Sequence, residues 1–451
     1  MQLKDIISSP CGISFMLEQL DLQSGYARRC LLDAHMMTGE PEISASYDVL
    51  RSFVAFIDRV EPVQLNTLLH KLMCLKDLRG TIANLNRRAV LDDIELFEIK
   101  HLSMLAGDVR RLLEQNGFNH AVEIPMLDDV VSILDPDGMR IATFYVYDSY
   151  SDRLKELRAL MRKQPERQEE LFAETTKIED EIRAGLSGKL YNYARALEQA
   201  QSALAMVDIS IAKARQMQQL GLCFPSVSAT ETNYCNLFHP QVKDVLAKAG
   251  TAFQPVNIVF STKPTLITGA NMGGKTVVLK TLTLCQYLFQ FGFGIPADKA
   301  DVSIKDEIYF CIGDEQSVEK GLSSFAAEMK NIDAVIKASR EDRKILALID
   351  EPARTTNPVE GTALVQALLS VLARGSVSLV MTTHYDIEPG EARCLRVRGF
   401  DKGVMNYELV EVHDGEVPHE ALNIAQSLGV DDQWLEAARQ LLGVSNNKNE
   451  L

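Results

Sequence analysis

The segment Gly269-Ala270-Asn271-Met272-Gly273-Gly274-Lys275-Thr276 has the spacing G-x-x-x-x-G-K-[ST]. Residues of these types in this order can hold a chain of phosphates. Glycines let backbone N–H groups turn inward around an anion, and a helix opening at the end of the loop adds its positive dipole end. Lys275 brings a charge for the β- and γ-phosphates, and the Thr276 hydroxyl can complete a Mg²⁺ shell. A second element, Lys344-Ile-Leu-Ala-Leu-Ile-Asp350-Glu351, is an apolar strand ending in two carboxylates. Asp350 suits a water-mediated Mg²⁺ contact, and Glu351 is placed to polarise an attacking water. By itself such a pair could as well cap a following helix; downstream of a phosphate loop it reads as catalytic. A third element, Thr382-Thr383-His384-Tyr385, follows the apolar run Ser378–Met381. His384 is either a structural histidine or a sensor of the γ-phosphate, and the other two motifs favour the sensor.

These groups need a sheet to hold them. Val256–Phe260, Thr265–Thr268, Ile345–Ile349 and Ser378–Thr382 are short apolar or β-branched runs alternating with helical patterns, which predicts an α/β domain with a mainly parallel sheet over 226–415. Thr265–Thr268 leads into the glycine loop, and a helix is expected from about Thr276. Residues 1–225 read as helical. Leu65, Leu68, Leu69, Leu72, Leu75 and Leu78 recur at helical spacing and predict one apolar face. Asp135-Pro136-Asp137-Gly138 predicts a turn. Over 151–219 two long amphipathic helices are expected, broken at Ala184-Gly185-Leu186-Ser187-Gly188 into an antiparallel hairpin. The first, about 33 residues, would be ~50 Å long. Such a hairpin is either a packing and interaction element or a mechanical lever. Residues 416–451 are expected to form a helical extension with a frayed polar end.

The 451 residues suffice for two or three cores, and 46% hydrophobic with 24% charged residues is an ordinary globular balance. A formal charge of −15 repels nucleic-acid phosphates unless basic residues cluster, and no cluster stands out. Neither a basic-then-apolar leader nor an apolar run near ~18 residues is visible, so no membrane is expected. Eight scattered cysteines without a C-x-x-C pair suggest free thiols in a reducing cytoplasm.

The motifs together resemble the MutS family of ATPases, whose fold would be an ABC/MutS-type P-loop ATPase domain preceded by an all-α core and lever. Gly269–Thr276 differs from that family's Gly-Pro-Asn-Met-Gly-Gly-Lys-Ser/Thr only at Ala270. Ile295-Pro296-Ala297 matches its motif after the loop helix. Gly321-Leu322-Ser323-Ser324-Phe325, followed by Glu328-Met329, resembles its signature loop, so the resemblance implies that Ser323 reaches the nucleotide of a partner subunit. Thr383-His384-Tyr385 resembles its switch histidine. The same alignment implies that Phe253 stacks on adenine and that Asn271 orients the hydrolytic water. Ile312–Ser317, Lys275–Thr281, Asn357–Gly361 and Tyr147–Leu154 are closer to the second bacterial MutS branch than to mismatch-recognising members.

What the resemblance implies is an ATP- and Mg²⁺-dependent switch that works as a homodimer, or as a heterodimer with a paralogous subunit. Departures are expected too. The helical core begins almost at once, which fits neither a mismatch-binding wedge domain nor a connector; only the 185–188 break stands where a DNA clamp would be inserted; no Smr-type nuclease follows residue 445. Glu351-Pro352-Ala353-Arg354-Thr355-Thr356 departs from the family's Glu-Ile/Leu-Gly-x-Gly-Thr. Family membership points to DNA repair or recombination. The acidic charge and the missing parts point to remodelling of a partner protein, as in the MutS-related factors of cobalamin-dependent aminomutases. A ribosome-directed role has less to support it.

Overall fold

A computed structural model describes residues 1–118, 121–141, 143–269, 273–312, 324–341, 343–373, 375–401, 404–412, 425 and 429–441. Among the described residues ten α-helices come first: α1 Ile13–Glu18, α2 Gly25–Asp33, α3 Glu40–Ile57, α4 Pro62–Leu72, α5 Arg79–Asn86, α6 Asp93–Gln115, α7 Asp128–Leu134, α8 Asp152–Lys163, α9 Gln168–Leu190 and α10 Ala194–Leu220. The α/β part follows with β1 Ser226–Ser228, β2 Thr232–Leu237, α11 Pro240–Lys248, β3 Val256–Phe260, β4 Thr265–Thr268, α12 Lys275–Gln290, β5 Lys299–Ser303 and β6 Glu307–Cys311. It continues through α13 Ser324–Ala338, β7 Ile345–Ile349, α14 Pro358–Leu372, β8 Val377–Thr382, β9 Arg393–Asp401, β10 Val404–Glu411 and α15 Asp432–Leu441. Among the described residues no helix is long and apolar enough to cross a membrane.

Local chemistry sets many of these boundaries. Asp92 and Glu95 form a reciprocal capping box at the start of α6, Ser24 and Ser151 cap α2 and α8, and Pro41, Pro62, Pro240 and Pro358 occupy the first turns of α3, α4, α11 and α14. The leucine stripe is shorter than its spacing suggests: α4 stops at Leu72, and Leu75 and Leu78 are buried from the connection that follows.

The expected hairpin is corrected. Residues 184–188 are helical, and the turn lies at Gln164–Arg167, between the antiparallel α8 and α9. Pro165 explains this, because a proline ring disfavours helical geometry at the residue before it; Gln164 leaves the helix at φ −129°, ψ 76°. Gly185 and Gly188 stay helical because Leu186 and Leu190 are buried around them and Ser187 accepts the Leu91 N–H. Beyond a single 3₁₀ turn at Tyr191–Tyr193, α9 runs on into α10, with no inserted domain between them.

α10 is the axle of the helical half. Several of its polar residues are buried and reach across the core: Asp208 accepts the Gln23 and Ser24 N–H groups, Gln201 donates to Lys76 O, and Gln216 donates to Met16 O. A buried lysine, Lys100, donates to Asp135 at 3.1 Å and to the Tyr147 hydroxyl at 2.9 Å, tying the segment after α7 to α6.

The six-stranded sheet has the order β10-β9-β4-β8-β7-β6, parallel except for β10. β7 is buried along its whole length, as a parallel strand covered on both faces must be. Its alternation sends Leu346 and Leu348 into the large core shared with α12 and the helical half, and Ile345, Ala347 and Ile349 into a second core under α13 and α14. A smaller mixed sheet, β1-β5-β2-β3, lies beside it.

Candidate nucleotide site

The strand order puts the ends of β4, β8 and β7 side by side, and the three sequence motifs sit at these ends. Gly274, at φ 76°, is the N-cap of α12, a left-handed conformation that glycine adopts without a steric cost. The cap carries no side-chain hydrogen bond, so the first N–H groups of α12 are presented by backbone alone.

Five residues interlock here. Thr276 donates its hydroxyl to Asp350 Oδ2 at 2.7 Å, and Thr382 donates to Asp350 Oδ1 at 2.6 Å. Both carboxylate oxygens are thereby oriented, and Asp350 is 8% exposed. Lys275, also buried, donates to Gly269 O at 2.6 Å and lies 3.2 Å from Glu351 Oε1. Thr382 has a second duty, accepting the Glu351 N–H at 2.9 Å. It thus fixes the two acids relative to each other and to β8.

A Mg²⁺ fits the donor set. A hydroxyl and one carboxylate, both oxygen ligands, converge at Thr276 and Asp350, which is how this small hard cation is held when substrate phosphates and water complete its shell. Among the described residues no group of three His, Cys, Asp or Glu side chains comes together, so a cage made by protein ligands alone is not built here.

Other expected residues are placed differently. His384 is exposed at the end of β8, its ring tilted against Tyr385 at 4.2 Å between centroids. Phe253 is partly buried against the large core in the segment before β3. Ala270, Asn271, Met272 and Ser323 lie outside the described residues, as does the stretch from Gly313 to Ser317. One residue was missed: Tyr407 on β10, whose ring lies against Gly274, 3.2 Å from where a Cβ would stand. Neighbouring Gln254 accepts the Tyr407 N–H and donates to Asn406, tying β10 to the Phe253 segment. An aromatic on an antiparallel edge strand carries no motif, so only the fold could find it.

The turn after the acids is strained. Glu351 has φ 44° and Ala353 φ 61°, left-handed values that cost a non-glycine residue roughly 1–2 kcal/mol each. Where the resemblance has a glycine, this chain has Ala353, in a left-handed backbone.

The family described as MutS domain V matches residues 265–409, from β4 to within β10. The Endonuclease MutS2 of Enterococcus faecalis is 33% identical over 290 residues, covering 60% of this chain and 34% of that protein. That of Thermus thermophilus is 33% identical over 247 residues, 53% of this chain and 32% of its own. From β4 into β10 the chain is similar to MutS domain V. Endonuclease MutS2 of Ligilactobacillus salivarius is 34% identical over 276 residues, covering 59% of the chain and 34% of its own length. The chain spans about a third of the length of the curated relatives it matches. In a MutS-family frame, Thr276, Asp350 and Thr382 are the residues that join the loop, the acid pair and the histidine strand in one network.

Proposed function

We propose that the chain binds ATP with Mg²⁺ and hydrolyses the γ-phosphate, using the cycle as a conformational switch. The observation that carries this reading is the Thr276–Asp350–Thr382 network with the Lys275–Glu351 pair beside it. Thr276 and Asp350 would hold the cation, whose chemistry is to neutralise charge on the phosphates. Lys275 would bind the β- and γ-phosphates. Phosphate oxygens compete with Glu351 for the ammonium, which leaves that carboxylate to take a proton from the attacking water. Phe253 and Tyr407 are offered as aromatic walls for the base, His384 as a γ-phosphate sensor and Asn271 as a water-orienting group. Glu351→Gln should bind ATP normally while its turnover falls by about two orders of magnitude or more; normal turnover would remove Glu351 as the base.

The switch is proposed to act in a dimer, with Ser323 completing the partner's site. Sedimentation of the Glu351→Gln protein with and without ATP tests this, and a strictly monomeric protein with full wild-type turnover rejects it. Coupling is supported by the burial of the far end of α12 in the helical half, where Tyr47 and Lys213 donate to its last carbonyls. That gives the loop a rigid path to α3 and α10. A DNA-directed role in repair or recombination follows from the family. The net charge of −15 favours a second reading, in which the target is a protein client. Salt-titrated binding to duplex and branched DNA, with and without ATP, separates the two: no binding at ~50 mM salt rejects the DNA role.

A further inference from the structure

The turn that carries Glu351 is held from two elements, α13 and the end of β8. Ala353 donates its N–H to Glu328 Oε1 of α13 at 3.0 Å, and its carbonyl accepts the Tyr385 hydroxyl at 2.7 Å. Tyr385 can reach that carbonyl only because residue 361 on α14 is glycine: a Cβ there would collide with the hydroxyl. The base of Tyr385 is also fixed, its N–H donating to Thr383 Oγ1 at 3.0 Å next to the Thr382 that holds Glu351. Glu328 and Tyr385 are both partly buried, and burial pushes up the Glu328 carboxyl while the Ala353 N–H opposes it. Two left-handed non-glycine residues flanking a proline do not keep such a shape unaided.

We infer that Glu328 and Tyr385 are positioning residues for Glu351, clamping the left-handed Glu351–Ala353 turn so that the carboxylate stays aimed at the phosphate end of the site. Neither touches the reacting atoms. Each grips one side of the same peptide unit pair, and the clamp replaces what a glycine at 353 would supply by conformational freedom. Because Glu328 stands on α13 and Tyr385 at the end of β8, a shift of either element alters the aim of Glu351. This inference rests on the ATPase reading.

The test measures steady-state ATP hydrolysis and ATP binding in the full chain for wild type, Tyr385→Phe, Glu328→Ala, Glu328→Gln and the double variant Tyr385→Phe/Ala353→Gly. Tyr385→Phe and Glu328→Ala should each lower kcat by about tenfold with ATP affinity within about twofold of wild type. Glu328→Gln keeps an oxygen acceptor and should retain most of kcat. Ala353→Gly should restore turnover to Tyr385→Phe, since glycine holds the left-handed shape without a clamp. Wild-type kcat in both single variants, or parallel losses in kcat and affinity without rescue, overturns the inference. Absence of turnover in wild type itself would instead sink the ATPase reading, and the inference with it.

Discussion

The two ends of α12 meet opposite environments. At the start, Gly274 caps the helix without a side chain, and Lys275 and Thr276 engage the exchangeable partners Glu351 and Asp350. At the finish, every residue from Leu282 to Gln290 is buried. There the Tyr47 hydroxyl donates to Phe289 O at 3.1 Å and Phe293 O at 2.8 Å, Lys213 donates to Phe291 O at 2.7 Å, and Gln290 donates to Met37 O and Lys305 O. One end offers donors to an incoming anion; the other has its carbonyls satisfied by side chains of α3 and α10. A helix built in this way is a rod, free to respond at one end and seated at the other.

Changes at the two ends should therefore separate in kind. Lys275→Ala should cause the largest loss, lowering turnover by roughly 10²- to 10³-fold with ATP binding lost, while the urea midpoint stays near wild type. Equal losses of stability and activity would blur the contrast between the ends.

Lys213 sharpens the contrast through pH. Burial pushes its ammonium down to about 7 from the usual 10.5. Below about 7 both folded and unfolded chains carry the proton, and the full cost of burying the charge weighs on the fold. As pH rises from about 7 towards 10.5, the folded chain releases a proton that the unfolded chain keeps, so this group's contribution to stability rises. Lys213→Met lacks that term. Its stability relative to wild type should be highest near pH 7 and fall steadily to pH 10 in urea unfolding; a constant difference would contradict the buried ammonium.

Tyr47→Phe removes one hydroxyl from two buried carbonyls. It should cost roughly 1–3 kcal/mol of stability, with ATP affinity unchanged. The smallest effect belongs to the α8–α9 hairpin, away from both ends. Arg153 and Glu174 pair at 2.7 Å but are about half exposed, and Arg153→Ala should leave the urea midpoint indistinguishable from wild type.

Much of this was legible locally. The glycine loop, the apolar strand into Asp350-Glu351 and the strand into His384 each carry a backbone requirement or a period that shows in adjacent residues. Their order along the chain was enough to place β4, β7 and β8. The hairpin turn was misjudged because glycines were weighed as breakers and Pro165 was not, although a proline constrains its predecessor and a glycine between buried leucines constrains nothing. Tyr407 was out of reach as a site residue, since neither spacing nor composition links β10 to the loop, and Glu328 was legible only as part of the signature-loop resemblance, not as a partner of Ala353.

By itself, then, the sequence determined the chemistry on offer: a glycine loop suited to phosphates, a hydroxyl suited to a metal, two acids and the strands that carry them, all consequences of short-range geometry. Tertiary structure alone decided how these are aimed and anchored. Residue 47 meets 289, residue 208 meets 24, and residues 328 and 385 close on 353. Such contacts depend on how distant elements pack, and packing leaves no local signature in either partner.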